Sequence, residues 1–564
     1  MKSTKLILFI LASQLHWCLV FGQNKTKLDY LDIFELQYVS SPAIANDGSK
    51  IAYVRNQFDI MTDRKFSNIW VINNDGTGHY PITTGKNNHF SPKWSPDGKK
   101  IAYLSGDEGP IQIFIYYTDI GKSSSITNLT KSPGQIEWSP DGKTIAFTMS
   151  VAGQNPSLGK IPSPPKGAIW VKSPTIVNEF SYKSDGNPNI LETSYRHIFL
   201  ISADGGSVRQ LTSGNFNHGT FSWSPDSKSI ILTADRENGG LPLAPNNHIY
   251  EITIDNNQIT KISSGAGPYT KPCISPDGKS IAYGHTEDKK LGYQQEELYT
   301  ADRNGANAKK INHKLDRDIQ SIQWDKTNKG LYISYDSEGI GKVAHTTLDG
   351  KITVLVNDLG GTSWGRPYSG GDFSITHDGK YAYTRTSTHQ PATLAFGTSI
   401  TANTNKELVN LNSQYLTTKN ISKVEEIWYQ CSYDQKKVQG WIVYPPDFDP
   451  NKKYPLILEI HGGPHTAYGP HFSVEIQLMA SQGYVVLYTN PRGSTSYGAD
   501  FAAYINHNYP SQDYDDLISG VDAVINKGFI DSKRLYVTGG SGGGVLTAWI
   551  VSKTDRFAAA VVSK

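Results

Sequence analysis

A phrase of the form aromatic-Ser-Pro-Asp-Gly-Lys-x-Ile-Ala-Tyr returns about seven times along roughly the first 390 residues, and an internal repeat of this period restricts the fold more than any other feature of the chain. Its copies are Ile44-Ala45-Asn46-Asp47-Gly48, Trp94-Ser95-Pro96-Asp97-Gly98, Trp138-Ser139-Pro140-Asp141-Gly142, Trp223-Ser224-Pro225-Asp226-Ser227 and Ile274-Ser275-Pro276-Asp277-Gly278. Two degenerate copies follow, Trp324-Asp325-Lys326-Thr327-Asn328 and Ile375-Thr376-His377-Asp378-Gly379. Pro presets φ, Asp bonds its own backbone two residues on, and Gly tolerates positive φ, so each copy is a turn. An alternating strand such as Lys100-Ile101-Ala102-Tyr103 follows each turn, which makes the phrase one β-hairpin. Second hairpins lie between the copies, for example around Asn68–Gly76, His197–Gly205 and His248–Ile252. Two hairpins per period make a four-stranded blade. The aspartates recur about every 45 to 50 residues, with one interval of about 85 that holds a Pro- and Gly-rich insertion from Ser150 to Tyr195. The sequence therefore predicts an all-β, seven-bladed β-propeller over residues 30–410, with the repeated tryptophans and aspartates assigned to blade packing and given no catalytic role.

A chain of 564 residues exceeds one ordinary domain. At its start, Lys2 and Lys5 precede the apolar run Leu6–Leu19 and the small or apolar Val20-Phe21-Gly22, the architecture of a secretory signal peptide over residues 1–22. The run is broken by Gln14 and His16 and is short for a bilayer span of roughly 20 residues. Removing it takes away two lysines and no acids, so the formal charge moves from +2 to about 0, without any polybasic tract; nucleic acid and anionic membrane are excluded as partners on that ground. Only Cys273 and Cys431 then remain, too far apart in the chain to form a disulfide framework. The processed protein is expected outside the cytoplasm, periplasmic or secreted, and free of the membrane. Oligomeric state leaves no signature.

The repeat stops before the polar stretch Thr401–Asn420, and residues 421–564 change character. Strands Glu426–Tyr429 and Gln439–Tyr444 precede two apolar runs, Pro455–Ile460 and Tyr484–Tyr488, that have the composition of buried parallel strands. The first runs into His461-Gly462-Gly463-Pro464, the second into Asn490-Pro491-Arg492-Gly493-Ser494. A helix is predicted over Ser511–Lys527, with Asp513, Asp515 and Asp516 in its first turns, then a strand over Arg534–Thr538. That strand ends in Gly539-Gly540-Ser541-Gly542-Gly543-Gly544 and a helix follows from Val545 to Ser552. The order is that of an α/β-hydrolase sheet, and the glycine turn has the G-x-S-x-G form of a nucleophile elbow in its strand-turn-helix setting. Ser541 is the candidate nucleophile. The backbone N–H groups of Gly542 and Gly463 are the candidate oxyanion donors. His461, His465 and His471 do not make a metal site, since Gly462, Gly463 and Pro464 forbid the helix that would put the first two on one face. No metal or cofactor is expected.

His461-Gly462-Gly463-Pro464, Asn490-Pro491-Arg492-Gly493-Ser494 and Gly539-Gly540-Ser541-Gly542-Gly543, following a propeller, resemble the prolyl oligopeptidase family of serine peptidases. The His-Gly-Gly-Pro motif and the repeat type look more like its acylaminoacyl-peptidase and dipeptidyl-peptidase branch, although no glutamate pair with the flanking aromatic pattern of the proline-specific dipeptidyl peptidases is present. The resemblance implies a propeller that covers the active site and admits short or unfolded peptides. Gly542 departs from the Tyr or His frequent after the serine in that family, which leaves a backbone donor intact but changes the pocket lining. In hydrolase chain order the triad runs Ser, Asp, His. No histidine lies between Ser541 and Lys564, and Asp555 follows the serine too closely to be the orienting acid. The expectation is therefore a fragment of a longer protein, its Asp and His on the order of a hundred residues further on. Two rivals stand beside the peptidase: a secreted esterase on the same fold, and a non-catalytic propeller binding protein.

Overall fold

The computed structural model describes residues 25–563 apart from 107–108, 154–158, 160–161, 172–175, 178–181, 185–186, 188–192, 238–245, 312–313 and 399–404. Residues 1–22, expected to be a signal peptide, lie outside the described residues, as does much of the 150–195 insertion.

From Tyr38 to Val409 the chain folds into antiparallel hairpins whose strands pair with their neighbours in sequence. Residues 38–81, 89–125, 133–210, 218–261 and 269–310 each form a 4-stranded sheet; an 8-stranded sheet over 321–409 is two further groups of four, joined where Leu359 pairs with Arg385. These are the blades of a β-propeller, numbered 1 to 7 below in chain order. Among the described residues no blade borrows a strand from the other end of the chain, and the ring closes where Val39, Ile51 and Tyr53 of blade 1 pack on Ala382, Leu394 and Phe396 of blade 7 and the Val39 N–H donates to the Ala392 carbonyl at 3.1 Å.

The repeated phrase explains how blades are built and joined. In blade 2 the Ser95 hydroxyl donates to Asp97 at 2.6 Å and accepts the Lys100 N–H at 2.9 Å, while Gly98 takes φ 69°. The same Ser–Asp bond recurs at Ser139–Asp141, Ser224–Asp226 and Ser275–Asp277. The tryptophan at the head of the phrase reaches back to the preceding blade: its indole N–H donates to a carbonyl of the innermost strand there, Trp94 to Ala43 at 2.9 Å, Trp138 to Lys93 at 3.0 Å, Trp223 to Glu137 and Trp324 to Cys273 at 3.2 Å. A buried donor is thus satisfied by the next repeat. The innermost strands of blades 1 to 5 each carry a register shift, at Ser40/Ala43, Phe90/Lys93, Pro133/Ile136, His218/Phe221 and Thr270/Cys273. Such bulges bend the strands that line the central channel.

The second domain is a sheet of six strands: β1 (Val424–Gln430), β2 (Lys437–Val443), β3 (Tyr454–Ile460), β4 (Val485–Asn490), β5 (Ile530–Gly540) and β6 (Ala559–Ser563). Their spatial order is β1-β2-β4-β3-β5-β6, with β2 antiparallel to its neighbours and the last four parallel. β4 is buried on both faces and β3 over most of its length, which is why they read as continuous apolar runs, whereas the edge strand β6 is exposed. Leu456, Leu458, Ile460, Val485 and Leu487 pack on helices α2 (Asp513–Ile525) and α3 (Gly542–Lys553). Val486 and Tyr488 face the other way, onto α1 (Val474–Ser481). The sequence reading missed α1 as an element; its short apolar stretch lacks a polar face. Among the described residues, no helix is long and apolar enough to cross a membrane.

Thr26–Lys27 pair parallel with Lys419–Asn420, the segment that leads into the second domain. Further links run from blades 5 to 7. The Gly292 N–H donates to Asn506 at 2.7 Å, the Gly339 N–H to the Ser496 hydroxyl at 2.7 Å, and the Ala499 N–H to Asp316 at 3.0 Å.

Candidate active site

Strand β5 runs straight into α3, and Ser541 is the single residue between them. Its φ of 56° and ψ of −119° lie outside the regions that a serine favours, and the side chain is exposed. Such strain persists only where the surroundings enforce it. Here they do so by leaving no room. A Cβ on Gly539 would stand 2.5 Å from the Gly543 carbonyl oxygen, and one on Gly543 would stand 2.2 Å from that of Ile460 at the end of β3. The turn is as tight as backbone against backbone allows.

The loop after β3 lies alongside. A Cβ on Gly542 would sit 2.8 Å from the Gly463 carbonyl oxygen and 3.2 Å from its nitrogen, and one on Gly462 would sit 3.5 Å from Ser541 Cβ. The structure therefore sets Gly463 against Gly542, the residue after Ser541, and Gly462 beside Ser541 itself. Gly463 has φ 115° and is exposed, and Gly542 opens α3, where first-turn amides have no intrahelical acceptor and the helix dipole is positive.

The three histidines of this region are each engaged away from Ser541. His461 is buried; its Nδ1–H donates to the Gly462 carbonyl at 2.6 Å, and its Nε2 lies 2.9 Å from the Ser494 hydroxyl, which donates to the Pro491 carbonyl at 2.6 Å. Burial holds it neutral, with a pKa lowered to about 4. His465 meets the Gly493 carbonyl at 3.0 Å and packs on Tyr293 of the propeller. His471, also lowered to about 4 by burial, bridges the Gly339 carbonyl and the Thr386 hydroxyl across the domain seam at 2.9 Å each. Among the described residues no three His, Cys, Asp or Glu side chains cluster as a metal site.

The second motif is an anchor. Arg492, 6% exposed, donates to Asp516 through Nε at 2.9 Å and Nη2 at 2.8 Å, and to Asp434 at 3.0 Å. Burial raises the Asp434 carboxyl, but Arg492 outweighs it and brings the pKa down to about 2. Asn490 then clasps the Tyr468 backbone at both its N–H and its carbonyl, 2.8 Å each, which knits this loop to the one carrying Gly462 and Gly463.

Four residues near the elbow carry no signal in the sequence. Arg366, from the connection into blade 7, lies over the turn: a Cβ on Gly540 would be 3.0 Å from its Nη1. Its Nε pairs with Glu459 at 3.3 Å and Glu475 at 3.2 Å. Glu459 is fully buried on β3 and also accepts from the Tyr468 hydroxyl at 3.0 Å; burial pushes its pKa up to about 7 against the pull of Arg366. No motif links residues so distant in sequence, and only an alternation break in β3, a glutamate in Leu456-Ile457-Leu458-Glu459-Ile460, hints at them.

A six-stranded, mostly parallel sheet with a glycine-walled serine turn at the end of β5, carried beside a β-propeller, defines an α/β-hydrolase of the propeller-capped type. Residues 470–564 match the prolyl oligopeptidase family, 47–159 the TolB beta propeller domain and 166–290 the N-terminal region of dipeptidyl peptidase IV. Over residues 470–564 the chain is similar to the prolyl oligopeptidase family, and its relatives mark it as a serine-type peptidase. It is 29% identical over 550 residues to the uncharacterized peptidase YuxL of Bacillus subtilis, covering 94% of this chain and 81% of that protein. With dipeptidyl-peptidase 5 of Porphyromonas gingivalis it shares 28% identity over 551 residues, 93% of this chain and 76% of that one. Acylaminoacyl peptidase of Pyrococcus horikoshii has the same fold, with a TM-score of 0.76 at 20% identity, covering 94% of this chain and 77% of its own.

Proposed function

We propose that Ser541 is the nucleophile of a peptidase acting on short peptides, with the N–H groups of Gly542 and Gly463 as its oxyanion hole. The observation that carries this reading is the exposed Ser541 at φ 56° between β5 and α3, with Gly462 beside it and Gly463 against the adjoining Gly542. A base takes the Ser541 proton as Oγ bonds to the scissile carbonyl carbon, and the oxygen gains negative charge in front of the two N–H groups. The tetrahedral species collapses, the amine leaves with the proton, and water then releases the acyl group. In hydrolase order the base and its orienting acid follow the nucleophile, and no residue of this sequence is assigned to either role. No cofactor enters these steps. Division into a leader (1–22), a propeller (30–410) and a catalytic domain (421–564), with export from the cytoplasm, completes the proposal.

Aminopeptidase-like relatives, named as dipeptidyl and acylaminoacyl peptidases, support a substrate held by its N-terminal end rather than an intact folded protein. The test is labelling with a fluorophosphonate followed by peptide mapping. One adduct on Ser541, lost in Ser541→Ala and competed by short peptides, is the expected result; an adduct elsewhere, or none, refutes the assignment.

A further inference from the structure

The Gly462-Gly463 segment poses a physical problem. Two glycines without side chains are free to rotate, yet an oxyanion donor works only when it is already aimed. Two peptide planes meet at Gly462, and each is held by one hydrogen bond. His461 Nδ1–H fixes the Gly462 carbonyl at 2.6 Å, and because a trans peptide points its N–H opposite its carbonyl, this turns the Gly463 N–H to the far side. The other plane is held from outside the hydrolase domain: the Gly462 N–H donates to the hydroxyl of Tyr368 at 2.9 Å.

Tyr368 belongs to the connection between the last strand of blade 6 and the first of blade 7. That connection docks as an irregular strand on the hydrolase loop. Ser369 N–H donates to the Ala467 carbonyl at 2.9 Å, Gly469 N–H to the Pro367 carbonyl at 2.8 Å, and Tyr368 forms a β-bridge with Tyr468, their rings 4.8 Å apart. The backbone pairing fixes where the Tyr368 ring starts, and the ring contact fixes where its hydroxyl ends, 3.2 Å from where a Cβ on Gly462 would stand.

Resting on the assignment of Gly463 as an oxyanion donor, we propose that Tyr368 is a positioning residue for the oxyanion hole, supplied by the propeller to the catalytic domain. Its hydroxyl acts through the Gly462 N–H. It accepts the Gly462 N–H and so holds the plane on which the peptide carrying the Gly463 N–H is hinged. The Gly462 amide is buried, so without Tyr368 it must either stay unpaired or rotate toward another acceptor, and rotation misaims Gly463. The propeller in this account is part of the catalytic apparatus as well as its cover.

The experiment compares the full chain with Tyr368→Phe, which keeps the ring and removes the acceptor, and with Ser369→Ala, which cuts the side-chain bond of the same connection to Asp336 and leaves its backbone pairing with the loop in place. Hydrogen exchange at the Gly462 amide and the rate of fluorophosphonate labelling at Ser541 are measured on each. Tyr368→Phe is expected to speed Gly462 exchange and slow labelling, each by about tenfold, with the unfolding midpoint close to that of Ser369→Ala, which does neither. Labelling of Tyr368→Phe within about twofold of the parent overturns the positioning role while leaving the nucleophile intact. A parent chain that takes no label at Ser541 overturns the nucleophile itself, and Tyr368 with it.

Discussion

At the tip of the blade 2 hairpin Gly98 has φ 69° and open space where a Cβ would point, whereas Gly543 has an ordinary helical backbone and a Cβ there would lie 2.2 Å from the Ile460 oxygen and 2.7 Å from that of His461. The first glycine answers a demand of local conformation, the second a demand of space. The propeller shows how soft the first demand is, since the same position of the phrase is filled by Ser227 at φ 62° and Asn328 at φ 57°. At Gly542 and Gly543 no such latitude exists, because the obstructing atoms are backbone of β3 and the loop after it. Repeats can drift in sequence while an elbow cannot, and the physical cause is what stands opposite the missing side chain.

The comparison predicts that any side chain at Gly543 is ruinous, whether Ala or Asn. Gly543→Ala should cost about 3 kcal/mol or more in denaturant unfolding, because backbone cannot yield as a side chain can; a cost below about 1 kcal/mol would break the distinction between the two kinds of glycine.

Of comparable size is the effect of pH on the buried carboxylate that steadies Arg366 above the elbow. Glu459 has a pKa of about 7 in the fold against an ordinary 4.5. Between those values the folded chain keeps a proton that the unfolded chain has lost, so this group's contribution to stability falls as pH rises from 4.5 through 7 and is level above. His461 and His471, both held at about 4 by burial against an ordinary 6.5, act with the opposite sign, their contribution being lost as pH falls from 6.5 toward 4. The useful quantity is therefore the difference between the parent and Glu459→Gln, expected to shift by about 3 kcal/mol across the window in favour of the variant at high pH. A flat difference would show that Arg366 keeps Glu459 ionised throughout.

Smaller effects sharpen the contrast. At Gly540 the obstructing atom is Arg366 Nη1, 3.0 Å from a Cβ and at the end of a long side chain, so Gly540→Ala should cost only about 1 kcal/mol, intermediate between a wall and open space. Gly98→Ala should cost about 1 kcal/mol through its positive φ alone, and Gly98→Asn about half of that, since Asn tolerates the left-handed region. Equal costs for Ala and Asn at Gly98, measured by thermal unfolding, would mean that space matters there as well.

The propeller was legible because a repeat states its own period, and Pro, Asp and Gly at fixed offsets name a turn whatever surrounds it. The same locality exposed the elbow: Gly539 to Gly543 follow an apolar strand and precede a helix within a few residues. Strand limits were less exact, β5 running over Ile530–Gly540 where Arg534–Thr538 was expected, because pairing with β3 extends it past its apolar centre.

By itself the sequence determined what neighbours along the chain can enforce: hairpins, buried strands, a serine on a strained turn and a glycine pair ahead of it. The tertiary structure decided what depends on residues far apart, the tryptophan of one blade capping a carbonyl of the last, Arg366 reaching Glu459, and Tyr368 holding Gly462 from 94 positions away. A hydrogen bond across two domains leaves no period and no composition in the chain, because only the folded geometry brings its donor and acceptor within reach.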